Sequence, residues 1–365
     1  MPRSRAEPVV PPCYAMVQPG LEEVAGEEIT RELGGEIKKT GKGIVVFRVP
    51  EIDEGLLRLR TVEDVFLLAW GTDQLTYRAE DLERIRRWTA REPDWQNLLR
   101  IHHAVRPKPK GKPTYHLVAQ MEGHHGYLRR DARQALGEGL HGVIPASWRP
   151  AEENAAVEMW LTIDGATAVC GLRLSDRTMR HRTYKLEHRP ASLRPTVAAA
   201  MVRLAGVRPG QVVVDPMCGA GTIVAECIGA AGAGRGASWA PVGGDLDFGA
   251  ARAAALNLRH VGPAHVLRWD ARRLPLDDAS VDRLLSNPPF GKQMETPEAI
   301  GPLYRAMIPE YDRVLRPGGW AVLLTSEARV LSDAARAVRW KSIRQVKVRV
   351  LGQLAVVSVW QKPGG

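Results

Sequence analysis

The spacing of hydrophobic residues changes near residue 196, and from there two kinds of segment alternate along the chain. Short apolar runs of strand length are followed by longer segments whose apolar residues recur with helical spacing. The predicted strands are 212–214, 241–244, 266–269, 281–285 and 320–325, and the predicted helices are 197–204, 222–231, 248–259 and 303–315. This alternation predicts a parallel, doubly wound α/β sheet. Two last strands, 343–350 and 354–360, have no helix between them and predict an antiparallel hairpin at the sheet edge.

The pattern before residue 196 predicts two smaller α+β units. A strand at 14–17, a helix at 19–33 and a hairpin from 36–39 and 44–49 predict a ferredoxin-like unit. The second unit has predicted strands at 65–70, 115–119, 157–163 and 166–174 and predicted helices at 82–89 and 131–140. The segment 175–195 is polar, basic and without periodicity. We therefore predict domains at 13–60 and 61–174, a linker at 175–195, and a last domain at 196–362.

Positive charge is concentrated in two windows of this chain of 365 residues, whose formal net charge is +10. Residues 100–149 contain nine Lys or Arg and three acidic residues, and residues 173–194 contain seven and two. The rest of the chain is close to neutral. Concentrated positive charge indicates a polyanionic partner, usually nucleic acid, and the alternative is a solvated basic surface.

The apolar runs, the N-terminal segment and the cysteine content favour a cytoplasmic location. No apolar run is long enough to span a bilayer, and residues 1–12 contain no apolar signal region. The four cysteines are scattered without a C-x-x-C pair, at Cys13, Cys170, Cys218 and Cys227. We therefore expect a reducing compartment, no disulfide framework, no metal site and no membrane partner.

A glycine-rich turn follows the first strand of the doubly wound domain, with the pattern D-x-x-C-G-x-G at residues 215–221. In such sheets, ligands bind at the carboxyl ends of the strands, near the point where the strand order reverses. Glycines let the backbone approach a ligand closely. The turn lacks the G-x-G-x-x-G spacing that is typical of a dinucleotide site. Its candidate binding residues are Asp215, Cys218, Gly219 and Gly221.

Two further acidic residues follow the next two strands. Asp245 ends the second strand, where a carboxylate can accept hydrogen bonds from both hydroxyls of a ribose. Asp270 follows the third strand and can accept one from an adenine amino group. For any one acid alone, a helix N-cap is the alternative, and Asp247 fits that role best. Three acids at three successive strand ends favour a ligand that contains a nucleoside.

The segment Asn287-Pro288-Pro289-Phe290 after the fourth strand suits the capture of a planar amine. An amine on an aromatic ring is a poor nucleophile because its lone pair is delocalised into the ring. The side-chain oxygen of Asn287 and the backbone C=O of Pro288 can accept both of its N–H groups. The prolines prevent the loop from winding into a helix, and Phe290 offers a flat face on which a base can stack. Alone, the segment is also compatible with a proline-rich turn.

Together these motifs resemble the class I S-adenosylmethionine-dependent methyltransferases with an N-P-P-[FYW] motif for amine methylation. Residues 184–195 resemble the entry to the catalytic domain of THUMP-domain RNA guanine-N2 methyltransferases, and residues 115–140, with Gly-His-His and Arg-Arg before a helix, resemble a THUMP module. The likeness extends over nearly the whole chain from Cys13. It implies a Rossmann-like catalytic domain behind ferredoxin-like and THUMP domains, with S-adenosylmethionine as the cofactor. It also implies cofactor contacts at Ser192, Leu193, Leu246 and Ala271.

The resemblance further implies that the N-terminal domains grip the acceptor stem and 3′ end of tRNA. The candidate RNA-binding residues are Arg106, Lys108, Lys110, Lys112, His124, His125, Arg129, Arg130, Arg180, Arg182 and Lys185. The two histidines can also be metal ligands, although no Cys or acid stands at ligand spacing from them. The N-P-P-F segment is closer to the enzymes for guanine 6 of the acceptor stem than to those for guanine 10, which carry D-P-P-Y. We therefore predict N2 methylation of guanine 6 in tRNA, by a protein expected to be a monomer.

Other functions are compatible with parts of the sequence. The same chemistry could act on guanine 10 of tRNA, on ribosomal RNA, or on adenine or cytosine of DNA, and the basic N-terminal half favours structured RNA. A non-catalytic RNA-binding protein with a decayed methylase fold is a further alternative, although Asp215, Asp245 and Asn287 are intact. A thiouridine-forming enzyme would share the THUMP module, but it would need a P-loop-like ATP site and reactive cysteines, and the sequence has neither.

Overall fold

In the computed structural model, the described residues are 10–106, 111–189, 192–232, 239–289, 300–350 and 352–364. Three of the predicted site residues, Lys108, Lys110 and Phe290, lie outside these ranges. The chain divides into two compact units. The first contains the described residues of 1–16, 28–59 and 64–179, and the second contains those of 17–27, 60–63 and 180–365.

The N-terminal half of the chain builds one mixed sheet of eight strands. The strands are β1 (Cys13–Val17), β2 (Glu36–Gly41), β3 (Ile44–Arg48), β4 (Val62–Thr72), β5 (Thr114–Glu122), β6 (Arg149–Pro150), β7 (Val157–Asp164) and β8 (Thr167–Arg173). Their order is β2-β3-β1-β4-β8-β7-β5-β6. The predicted hairpins are confirmed, since β2 pairs antiparallel with β3 and β7 pairs antiparallel with β8. The helices are α1 (Glu22–Leu33), α2 (Glu80–Arg91), α3 (Trp95–Val105), α4 (Arg129–Gly139) and α5 (Arg177–His181).

This sheet runs through the predicted boundary between residues 60 and 61. β1 and β4 are neighbours in it, and the backbone N–H of Leu68 donates to the C=O of Pro12 at 2.9 Å. A continuous sheet shares its backbone hydrogen bonds across the strands it joins, so the two predicted N-terminal domains are joined by hydrogen bonds in the structure.

Two helices of this half were not among the predicted elements. Helix α3 begins after Asp94, whose side chain accepts from the N–H of Asn97 at 3.0 Å, and it buries Trp95, Leu98 and His102. The sequence therefore contains a helical signal, because the N-cap residue Asp94 is followed by buried residues that stand three and four positions apart. Helix α5 lies inside the segment predicted to be a linker.

The C-terminal half builds a second sheet with the predicted doubly wound topology. Its strands are β9 (Val213–Asp215), β10 (Val242–Asp245), β11 (His265–Arg268), β12 (Val281–Ser286), β13 (Leu315–Thr325), β14 (Lys341–Val350) and β15 (Gln353–Gln361), in the order β11-β10-β9-β12-β13-β15-β14. The five strands β9 to β13 are parallel, and β15 pairs antiparallel with β13 and β14. The Rossmann-like domain with an antiparallel C-terminal hairpin is therefore confirmed.

The helices of this sheet are α6 (Pro195–Ala205), α7 (Thr222–Ala230), α8 (Phe248–Leu258), α9 (Ile300–Val314) and α10 (Ala328–Ala337). Helices α9 and α10 contribute to one buried cluster together with β12 and β13, and Tyr304 and Tyr311 at its centre are fully buried. Helix α10 was not predicted, although its buried residues Leu331, Ala334 and Ala335 stand three and four positions apart, which is a helical spacing. No helix in the described ranges combines the length and apolar character that a bilayer span requires.

The strand order reverses at β9, which lies between β10 and β12. Parallel strands end at the same edge of a sheet, so the residues after β9, β10 and β12 are brought together there. Gly244 in β10 is required by the close approach of Trp269, because a Cβ at Gly244 would lie 2.0 Å from that ring. The indole N–H of Trp269 donates to the C=O of Pro216 at 3.0 Å. One tryptophan thus packs on β10 and holds the turn that follows β9.

Candidate active site

A cavity of about 610 Å³ lies at the carboxyl ends of these strands, within the size range of sites for small ligands. Most of the predicted cofactor and catalytic residues line it: Ser192, Leu193, Asp215, Cys218, Gly219, Asp245, Leu246, Asp270, Ala271, Asn287 and Pro289. Gly221 and Pro288 are not among its lining residues, and Phe290 lies outside the described residues. The sequence motifs, which are up to about 100 positions apart, therefore converge on one cavity.

The turn after β9 has the backbone geometry that its glycines predict. Gly219 has a φ of +53° in the left-handed region, and a Cβ there would meet nothing within 4 Å. Gly221 also has a positive φ, +77°, but a Cβ there would lie 3.1 Å from the Cβ of Ala254 in α8. Gly219 therefore leaves open space at the cavity, whereas Gly221 allows the turn to pack against a helix.

Asp215 ends β9 and is almost completely buried. Its Oδ1 accepts from the backbone N–H of Met217 at 3.2 Å. Burial raises the pKa of the Asp215 carboxyl well above its usual value, and the nearby Asp245 acts in the same direction. A carboxyl in this environment favours a cationic neighbour, because a positive charge would stabilise its ionised form.

Asp245 connects the two turns on either side of the cavity. Its Oδ2 accepts from the N–H of Gly219 at 2.9 Å, and its Oδ1 accepts from the N–H of Asp247 at 3.0 Å. Each carboxylate oxygen can accept more than one hydrogen bond, so both remain able to accept from a ribose hydroxyl. The predicted N-cap is confirmed at Asp247, whose Oδ1 accepts from the N–H of Ala250 at 2.6 Å.

Asp270 has a partner that the sequence analysis did not identify. The guanidinium of Arg272 donates to both of its carboxylate oxygens, with N–O distances of 2.6 to 3.0 Å. These hydrogen bonds lower the pKa of Asp270. Both residues line the cavity, so an adenine amino group bound at Asp270 would share this carboxylate with Arg272.

Asn287 follows directly after β12 and lines the cavity. Its side-chain Oδ1 is buried and has no hydrogen-bond partner within the part of the chain that the structure describes. A buried acceptor without a partner is costly, and a ligand that donates an N–H would remove that cost. This oxygen therefore suits an amine.

Ten further residues line the cavity that the sequence analysis did not select: Arg189, Pro216, Met217, Ala220, Thr222, Ile223, Asp247, Ala250, Arg272 and Leu303. Five of them belong to the turn after β9 or to the first turn of the helix that follows it. Their closeness in sequence to the D-x-x-C-G-x-G motif could therefore have identified them. Arg189 pairs with Asp247 at 2.9 Å, and no local pattern indicates that contact.

The predicted RNA-binding residues of the first unit have different environments. Lys112, His124, Arg129 and Arg130 are exposed. His125 is half-buried, stacks on Tyr77 and bonds through Nε2 to the C=O of Gly165 at 3.0 Å. Arg106 forms an ion pair with Asp176 at 3.1 Å. The described residues contain no group of three or more His, Cys, Asp or Glu side chains arranged to hold a metal.

The predicted RNA-binding residues of the second unit are Arg180, Arg182 and Lys185, and the hydrogen bonds of Arg182 and Lys185 within the protein are well defined. Arg182 donates to the fully buried Glu226 at 3.2 Å, and Lys185 Nζ donates to the C=O of Leu193 at 2.6 Å. Burial lowers the pKa of Lys185 to about 8. Both side chains thus have hydrogen-bond partners within the protein, and their contact with RNA stays a prediction.

The chain is similar to known proteins, both over its catalytic half and over most of its length. Residues 182–355 match the family model UPF0020, described as RMKL-like, methyltransferase domain. The chain is 32% identical over 330 residues to a tRNA (guanine(6)-N2)-methyltransferase of Thermus thermophilus, covering 88% of this chain and 90% of that protein. It is also 32% identical over 252 residues to the human tRNA (guanine(6)-N(2))-methyltransferase THUMP3, but it spans only 48% of that longer protein.

Solved structures give the same result. The crystal structure of TrmN from Thermus thermophilus matches with a TM-score of 0.75 and 28% identity, covering 96% of this chain and 99% of that one. A possible methylase from Clostridium difficile matches with a TM-score of 0.71 at 18% identity, which shows the fold alone.

The reversed strand order at β9, the acids at successive strand ends and the buried amide after β12 define a class I S-adenosylmethionine-dependent methyltransferase. Within that class, the match to the Thermus protein extends over nine-tenths of both chains. The chain belongs to the family of THUMP-related tRNA (guanine-N2)-methyltransferases.

Proposed function

We propose that this protein transfers a methyl group from S-adenosylmethionine to the exocyclic N2 amine of guanine 6 in the acceptor stem of tRNA. The observation that carries the chemistry is the buried Oδ1 of Asn287 at the cavity, which has no hydrogen-bond partner among the described residues. The choice of tRNA and of position 6 is supported by the names of the Thermus and mammalian relatives.

Asn287 and Pro288 hold and orient the target amine. The Oδ1 of Asn287 accepts one N–H of the amine and the backbone C=O of Pro288 accepts the other, which directs the nitrogen lone pair out of the base plane. The two prolines hold these acceptors in place before the base arrives. Stacking of the guanine on Phe290 stays a prediction, because that residue lies outside the described ranges.

Three carboxylates hold the cofactor, which supplies an electrophilic methyl group on a sulfonium when it is bound. Asp245 accepts from the ribose hydroxyls, and Asp270, with Arg272 beside it, accepts from the adenine amino group. The buried carboxyl of Asp215 would favour the cationic part of the cofactor, because a positive charge would stabilise its ionised form. Gly219 leaves the space that allows the backbone to approach it.

The first unit supplies the tRNA contacts in this proposal. Lys112, His124, Arg129 and Arg130 are exposed cationic or polar side chains suited to phosphate oxygens of the acceptor stem and 3′ end. Guanine 6 is paired and stacked in a stem, so it must flip out at a cost of a few kcal/mol, which binding of the rest of the tRNA offsets. We propose a monomer that acts in the cytoplasm, where tRNA is the available substrate.

The test is methylation of a tRNA transcript with G at position 6, compared with the same transcript carrying A there. After digestion, mass spectrometry of the nucleosides should find N2-methylguanosine in the first transcript and none in the second. Methylation that survives the change, or that maps to guanine 10, would contradict the proposed position but not the chemistry. Methylation of adenine or cytosine would contradict the chemistry.

A further inference from the structure

One wall of the cavity is formed by a segment with little regular structure, residues 182–189 and 192–194, which we term the strap. Arg189, Ser192 and Leu193 of the strap line the cavity. Most of the other lining residues belong to the turns after β9, β10 and β11. The shape of the cavity therefore depends on how the strap is held against those turns.

Arg189 pairs with Asp247 after β10, and a buried amide connects the strap to the turn after β9. Asn257, near the end of α8, is 1% exposed. Its Oδ1 accepts from the backbone N–H groups of Leu186 at 2.9 Å and Glu187 at 2.8 Å. Its Nδ2 donates to the C=O of Glu187 at 3.0 Å and to the C=O of Ala220 at 2.9 Å. Both N–H groups and both acceptor positions of the amide are thus engaged.

Ala220 lies between the two glycines of the glycine-rich turn. The residue before it, Gly219, donates its N–H to Asp245 at 2.9 Å. The turn is consequently held on one side by the carboxylate of Asp245 and on the other by the amide of Asn257. Asn257 thus binds both the strap and this turn.

We propose that Asn257 is a positioning residue for the cofactor, which sets the distance between the strap and the glycine-rich turn. This inference rests on the proposed cofactor site, and it goes beyond it because Asn257 does not line the cavity. Its effect on the cofactor passes through the backbone atoms that it holds.

The role requires the chemistry of an amide and not only its volume. A carboxylate at this position could still accept from Leu186 and Glu187, but it would have no N–H for Ala220 and would repel both carbonyl oxygens. An apolar residue of similar size would remove the partner of the buried C=O of Ala220 and of the N–H and C=O of Glu187, whereas the N–H of Leu186 would keep its bond to the C=O of Tyr184 at 3.0 Å. Both changes loosen the strap from the turn.

Asn257→Asp and Asn257→Leu test the inference, with Ser358→Ala as the matched control. Ser358 is also buried and donates to the C=O of Leu323 at 3.2 Å, and it does not line the cavity. Both Asn257 variants should raise the KM for S-adenosylmethionine and the Kd for S-adenosylhomocysteine by about 10- to 100-fold. The KM for tRNA should be unchanged, kcat at saturating cofactor should fall only a few fold, and Ser358→Ala should lower the Tm without changing cofactor affinity.

Hydrogen exchange of the unmutated protein gives a second test that does not depend on the folding of a variant. S-adenosylhomocysteine should increase the protection of residues 182–188, although none of these residues lines the cavity. Unchanged protection there, or Asn257 variants that lose Tm but bind S-adenosylhomocysteine normally, would overturn the inference.

These measurements separate this inference from the proposed function. Cofactor binding is measured without tRNA. Weaker cofactor binding by the Asn257 variants, together with no methylation of position 6 by the unmutated protein, would therefore contradict the proposed substrate only. Normal methylation of position 6 by a variant with unchanged KM for the cofactor would contradict the role of Asn257 only.

Discussion

Replacing Asp245 by alanine removes the carboxylate that connects the two turns beside the cavity. The proposed function assigns to it the hydrogen bonds from the ribose of the cofactor. Hydrogen bonding to a charged group contributes about 1.5–3 kcal/mol. At tenfold per 1.4 kcal/mol, this predicts an increase of roughly 10- to 150-fold in the Kd for S-adenosylhomocysteine. Calorimetric titration of the purified protein measures that constant directly.

Part of the loss of cofactor affinity has another origin, because Asp245 also orders the two turns by accepting from the N–H groups of Gly219 and Asp247. Each of these backbone bonds contributes about 0.5–1.5 kcal/mol to stability. Asp245→Ala should therefore lower the free energy of unfolding by about 1–3 kcal/mol as well.

Asp282→Ala is the matched control. Asp282 lies in β12 and accepts from the N–H of Val212 at 2.7 Å and from Arg316 at 2.9 Å, and it does not line the cavity. The substitution makes the same change of charge and removes two comparable hydrogen bonds. It should lower stability similarly and leave the Kd for S-adenosylhomocysteine unchanged. Equal affinity in wild type and Asp245→Ala, or an equal loss in Asp282→Ala, would refute the assignment of Asp245 to the ribose.

The remaining predictions concern the amine, the RNA and the buried acid. Asn287→Ala should lower kcat about 100-fold or more with tRNA affinity nearly unchanged, since its contact is made with the reacting amine; loss of tRNA binding in a filter assay would contradict this. Replacing Arg129 and Arg130 by alanine should weaken tRNA binding and reduce the slope of log K against log salt by about 2; a variant impaired only in turnover would exclude phosphate contacts there. Because burial raises the pKa of Asp215 and a bound cation lowers it again, binding of S-adenosylmethionine at a pH below that raised pKa should release a proton. Its affinity should then increase as the pH rises through that raised pKa and stay constant above it. Asp215→Asn should remove this pH dependence, and a dependence that persists would rule out Asp215 as its source.

The doubly wound sheet could be predicted from the sequence because its signals are local. Each strand is a short apolar run, each helix has its own spacing, and the residues after parallel strands must meet at one edge. Asp215, Asp245 and Asn287 are found in one cavity for that reason. Helix α10 carries the same kind of local signal in the spacing of Leu331, Ala334 and Ala335, and it was missed.

The strap could not be predicted in the same way. Residues 175–195 have no periodicity, and the interpretation as a linker followed from that absence. In the structure, Leu186 and Glu187 are held by Asn257, about 70 positions later in the chain. Contacts at that separation leave no regular spacing in either segment, and an asparagine inside an alanine-rich helix carries no sign of its partners.

The acids of the site were identified from their positions, and the structure adds that each already has a partner within the protein. Asp215 bonds to Met217, Asp245 to Gly219 and Asp270 to Arg272. A carboxylate that orders its own loop affects affinity twice, through its contact with the ligand and through the shape of the loop. Asp245→Asn narrows the change, because its amide oxygen can still accept from Gly219, while it carries no charge and loses only the bond from Asp247. Affinity that falls nearly as far in Asp245→Asn as in Asp245→Ala would indicate that charge at the ribose dominates, and affinity close to that of the wild type would indicate that loop geometry does.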